Sequence, residues 1–290
     1  MTARVLDAAP ARKLPVFASV FGAYRNVLAR PACLLRVSAL PAAVMAATAF
    51  AIIASPLWDE EWGFFALSLL ALPLPYAALG WLRHRLLAER PQVLMTGGWL
   101  GRYGRLLAFS CASAIWLICL PFCIVIASVL LLVELAERPW EYAPYVQDGS
   151  LPGLLWIGLI MLFALPAGRL LLFAPAIAIG EPGWFQIVWR NGRGYGIKIS
   201  LALTLLFLML FIIQFLVFFI FFVLAAILSD LLGSGTPLTE SESFIDAGAF
   251  VIFMAGALVG TVLSAELLAI AFKAVTGWHH LSNDVLERFE

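Results

Sequence analysis

The chain has 290 residues, 63% of them hydrophobic and only 12% charged, and its formal net charge is zero. Soluble domains carry about a quarter charged residues, so this composition excludes an ordinary water-facing globular enzyme. A balanced total charge also gives no global field that would draw in nucleic acid, so the informative charge is local.

The first 33 residues read as a cytoplasmic arm with Arg4, Arg12, Lys13, Arg25 and Arg30. The first apolar run starts only near Leu34, too late for a cleavable signal peptide. Within the arm Phe17, Val20, Phe21, Tyr24, Val27 and Leu28 recur at helical spacing, with Arg25, Asn26 and Arg30 on other faces. That pattern predicts an amphipathic helix lying at the membrane surface.

Residues 34–290 predict a single transmembrane domain. Six apolar runs, 35–55, 62–82, 106–133, 152–179, 199–228 and 248–276, can each cross ~30 Å of hydrocarbon at ~1.5 Å per residue. Of the 18 Lys and Arg residues, all but Arg138 and Arg169 lie in the arm, at the mouth of span one (Arg36), in the links after spans two and four, or at the C-terminal end. The opposite loops instead hold Asp59, Glu60, Glu61, Glu134, Glu137, Glu141, Asp148, Asp230, Glu240, Glu242 and Asp246. By the positive-inside rule the basic segments are cytoplasmic. The expected fold is therefore an all-α polytopic membrane protein: six transmembrane helices as three hairpins, both termini cytoplasmic, in a bacterial inner membrane. Short amphipathic interfacial helices are expected near 99–105 and 184–194 as well.

The segments "AYRNVLARPACLLRVSA", "GGWLGRYGRLLAFSCA" and "PGWFQIVWRNGRGYGIKISLA" echo one another. Each has an aromatic–Arg stretch, a Gly or Pro break and a basic residue opening an odd-numbered span, as a unit of about 80 residues used three times would give. Prolines 41, 73, 75, 121 and 166 interrupt spans one to four and read as packing kinks.

Charges at membrane depth are costly and stand out for that reason. Arg169 and Glu266 are each placed ~25 Å from the outer edge by helical rise, with opposite sign, which predicts an intramembrane ion pair joining spans four and six. Span six also carries Gly256, Gly260 and Ser264, a small-residue ridge for close helix packing, and should be central. Span five, with Phe207, Phe211, Phe215, Phe218, Phe219, Phe221 and Phe222, should face lipid and turn Gln214 inward.

No catalytic, cofactor-binding or metal site is expected. His84, His279 and His280 lack ligand-spaced companions, and Cys33, Cys111, Cys119 and Cys123 read as small buried hydrophobes. No phosphate loop or dinucleotide fingerprint is present.

The passage "GRLLLFAPAIAIGEPGWFQIVWRNGRGYGIKIS" and the ending "AELLAIAFKAVTGW" resemble bacterial integral membrane proteins related to the membrane domain of glycerophosphoryl diester phosphodiesterases. The resemblance implies about six spans and cytoplasmic termini, and no catalytic residue. The family pattern often has a small residue, commonly Ser, where this chain reads Trp189 or Asn191.

The functional expectation is a non-enzymatic membrane protein that organises the membrane or contacts lipid. Its headgroup contacts would be Arg25, Arg30, Arg83, Arg85, Arg190 and Arg193, each worth about 1 kcal/mol near an anionic surface. Its partners would be membrane lipids and a membrane-protein partner or a second copy, with no nucleic acid. One alternative is a small-solute or lipid transporter, with a polar cavity near Ser110, Ser113, Arg169 and Glu266. A weaker alternative is a membrane-embedded enzyme.

Overall fold

The computed structural model describes residues 14–53, 69–90, 99–112, 168–180, 184–232 and 242–278. Most of expected spans three and four, the acidic loops between spans one and two and between spans three and four, Glu240, Trp116, Cys119, Cys123, His279 and His280 lie outside the described residues, whereas Asp230, Glu242 and Asp246 fall within helices. Those described are helical, with no strand among them.

Among the described residues seven helices are α1 (Val16–Leu28), α2 (Pro31–Ile53), α3 (Leu74–Leu87), α4 (Phe173–Ile179), α5 (Trp184–Asn191), α6 (Gly196–Leu232) and α7 (Glu242–Thr276). A further helical segment covers 99–112. Three stretches among the described residues are long and apolar enough to cross a membrane: Pro31–Ala51, Gly196–Ile227 and Gly248–Thr276.

α7 is the hub and touches each of the other six helices. Its small residues permit this. A Cβ at Gly260 would lie 2.7 Å from Leu210 Cδ2, and one at Gly256 would overlap the Gln214 amide. Gly248 meets the Phe221 ring in the same way. α6 and α7 thus run antiparallel, with α6 side chains seated over the glycines of α7. The other face of α6 is a nearly continuous apolar surface, with Phe207, Phe211, Phe215, Phe219 and Phe222 all exposed.

α1 buries Ser19, Val20, Ala23 and Val27 on one face and exposes Phe17, Phe21, Arg25 and Leu28 on the other. Its buried face joins the core of α3, α6 and α7, and Tyr24 Oη donates to the Leu206 carbonyl at 3.0 Å. The chain then breaks at Ala29–Arg30 and restarts with Pro31 at the first turn of α2, where a missing N–H is harmless. α5 is likewise separated from α6 by a turn at residues 192–195, whereas 99–112 runs on without a break.

Proline leaves its mark before α3. The backbone turns at 72–73, and Tyr76 N–H bonds Pro73 O instead of continuing the α pattern to Leu72. Tyr103 Oη donates to the Leu72 carbonyl at 2.9 Å, so a neighbouring helix satisfies the freed group. α3, α4 and α7 each end on a left-handed residue, Ala88, Gly180 and Gly277.

Candidate functional site

The most concentrated polar chemistry surrounds Glu266, whose side chain is 0% exposed. Two helices, α3 and α1, converge on its carboxylate. From α3, Arg85 donates from Nε to Oε2 at 2.6 Å and from Nη2 to Oε1 at 2.7 Å, the two-pronged geometry that suits a guanidinium. Trp81, one turn earlier on the same face, donates Nε1–H to Oε2 at 2.8 Å. From α1, Asn26 Nδ2 donates to Oε1 at 2.8 Å. Each carboxylate oxygen thus accepts two bonds, so the buried charge is paired and hydrogen-bonded, as low dielectric requires.

The same region closes the end of α3. Lys273 Nζ donates to the Arg85 carbonyl at 3.0 Å, and Trp278 Nε1 donates to the Leu86 carbonyl at 2.9 Å. These are carbonyls at a helix C-terminus, which lack intrahelical donors and favour a cation.

Arg169 and Glu266 are not brought together. The Arg169 guanidinium lies over Trp189 of α5, with Cζ 3.6 Å from the ring centroid. Its Nε and Nη2 atoms are buried without a hydrogen-bond partner. The expected pair assumed straight spans that put the two residues at one depth. Instead Leu172 N–H bonds Arg169 O in a tightened turn, and Gly168 packs against the Gly196 backbone in the first turn of α6. Glu266 lies deeper. Extending the Gly260–Leu210 register by six residues sets it level with about Thr204, roughly 6–12 Å further in. Stacking on Trp189 is worth about 0.5–2 kcal/mol, a fraction of what a paired carboxylate supplies.

Two of the six residues expected to contact headgroups have partners within the protein. Arg85 is committed to Glu266, with a side chain 18% exposed. Arg83 pairs with Glu89 and donates from Nη1 to the Ala178 carbonyl at 3.1 Å, joining α3 to the end of α4. Arg25, Arg30, Arg190 and Arg193 are exposed. Trp81 and Asn26 were not singled out as partners of Glu266. The available signal was the four-residue spacing of Trp81 and Arg85, which puts two donors on one helical face.

A cavity of about 750 Å³ lies between the start of α3, the 106–111 segment, Leu171 and Ala174, and the facing stretches of α6 and α7. Its wall is mainly apolar. Gln214, Ser110, Thr261 and Ser264 contribute the uncharged polar groups, Cys111 also borders it, and neither Arg169 nor Glu266 does. Ser264 Oγ is buried without a partner. Among the described residues no group of His, Cys, Asp and Glu could hold a metal ion.

Comparison with protein-family models, with curated proteins and with solved structures finds no match.

Proposed function

We propose that this protein is a non-enzymatic membrane protein that binds phospholipid, with an acyl chain in the apolar cavity and basic residues at the headgroup level. The observation that carries this reading is the cavity. It is bounded by two of the helices long and apolar enough to span a bilayer, and its wall is hydrocarbon with scattered uncharged polar atoms. The medium available to such a recess within a bilayer is acyl chain. Exposed Phe17, Phe21 and Leu28 beside Arg25 on α1, and Phe185 and Trp189 beside Arg190 on α5, are the side chains expected of helices at the headgroup boundary.

In this reading the chain makes six spans as three hairpins, with both ends in the cytoplasm of a bacterial inner membrane, as the distribution of Lys and Arg implies. Kinship with the membrane domain of glycerophosphoryl diester phosphodiesterases is part of the same proposal, carried by the residues from Gly168 to Ser200. The transporter alternative expects Ser110, Ser113, Arg169 and Glu266 around one polar cavity. Ser110 lines the cavity, Arg169 packs on α5, Glu266 is sealed among four donors, and Ser113 lies outside the described residues.

Photocrosslinking tests the lipid reading. The full chain is placed in bilayers containing a phospholipid with a diazirine at mid-chain, and labelled peptides are mapped. Enrichment at Ala257–Ser264 over the outward Phe215–Val223 surface is expected. Labelling spread in proportion to surface exposure would defeat the acyl-chain assignment.

A further inference from the structure

The geometry points to a phosphate oxyanion as the ligand of Arg169, held jointly with Arg193. The inference deepens the lipid reading and rests on it for the source of the phosphate.

Arg169 is a permanently charged group with two buried donors that no described residue accepts from. Trp189 covers one face of its guanidinium. Arg193 lies within electrostatic range and carries the same sign, so the local field is uncompensated by any described carboxylate. The half-buried Arg169 side chain still reaches the molecular surface, and Arg193 is exposed. Arg193 belongs to the turn that packs on the Arg169 stem, where a Cβ at the adjacent Gly192 would lie 3.3 Å from Arg169 Cγ, so a phosphate oxygen taken by Arg169 would have a second guanidinium on the neighbouring turn.

Position identifies the source as a lipid. Gly168 abuts the first turn of α6, beside exposed Arg190, Arg193 and Lys198, where the basic residues mark the boundary of the apolar helix. Arg169 also precedes Leu171 and Ala174, which line the acyl cavity. The residues that face hydrocarbon and the one that would hold phosphate are therefore about one helical turn apart. A phospholipid presents its two parts in that order.

The test uses the full chain in phosphatidylcholine nanodiscs and native mass spectrometry with three probes: phosphatidylglycerol, glycerol 1-phosphate and inorganic phosphate. Phosphatidylglycerol should be retained one per chain and preferred over phosphatidylcholine. Arg169→Gln should weaken retention by about tenfold, and Arg193→Gln by about threefold. Arg36→Gln, at an exposed position of α2 that is not among the headgroup contacts, should leave it within about twofold. Arg193→Gln carries the test if Arg169→Gln fails to fold, because Arg193 is exposed. Arg169-dependent binding of the two soluble phosphates alone would keep the site and overturn its lipid source. Phosphatidylglycerol retained equally by wild type and both variants would overturn the site and leave the lipid reading standing. No binding of any probe would overturn both.

Discussion

Glu266 and Arg169 are two charges at the same end of one helical assembly, and their surroundings are opposite. Glu266 is wholly buried, yet both of its oxygens are doubly bonded by Arg85, Trp81 and Asn26. Arg169 is less buried, yet two of its donors are closed off without an acceptor and its contact is an aromatic face. Burial alone does not separate a structural charge from one kept for a ligand; the completeness of its partners does. The first arrangement holds α1, α3 and α7 together. The second leaves binding capacity unspent.

The largest expected effect breaks the Glu266 arrangement. Glu266→Ala leaves Arg85 mostly buried with no counter-charge and should destabilise the fold by roughly 3–5 kcal/mol, read from unfolding in mixed micelles. The double variant Glu266→Leu with Arg85→Met should recover much of that loss, because removing both charges is far less costly than removing one. Equal destabilisation by single and double variants would mean that the charges do not act as a pair.

Gly168→Ala comes next. The added methyl meets the Gly196 backbone carbonyl, which cannot rotate aside, so a loss of about 1–3 kcal/mol is expected in the same assay. Trp81→Phe removes a single donor to the carboxylate and should lower stability by about 1.5–3 kcal/mol if the site cannot admit water, and by less if it can.

Arg169→Gln sharpens the comparison in the other direction. It removes a charge that lacks an internal acceptor, so stability should change by less than about 1 kcal/mol. A loss as large as that of Glu266→Ala would reveal an internal counter-ion. The smallest effect concerns Tyr24. Burial raises its phenol above the ordinary range, so its contribution is full below the unfolded value near 10 and fades as pH rises towards the folded value. The melting temperature of the wild type should therefore fall more steeply above that pH than that of Tyr24→Phe.

The long helices were legible because unbroken apolar runs leave few other solutions. Phe207, Phe211, Phe215, Phe219 and Phe222 of α6 face outward, Phe221 turns in against Gly248, and Gln214 lies over Gly256, in keeping with a bulky outer helix packed on a small-residue ridge. What pairs with Glu266 was not legible. Residue counting gives rise along a straight helix, but not the level at which each helix starts, nor the tightened turn at Leu172. Arg85 and Arg83 read as headgroup contacts because the sequence places them just past an apolar run. Their partners, Glu266 of α7 for Arg85 and the Ala178 carbonyl for Arg83, come from distant segments, which spacing along the chain does not give.

The account depends above all on a lipid occupying the cavity between α3, α6 and α7. Native mass spectrometry of the wild type and of Ala257→Trp, released from the same phospholipid nanodiscs, examines this directly. One phospholipid retained by the wild type and lost when the indole fills the recess is the expected result. Equal retention by the two proteins, or none by either, would contradict it.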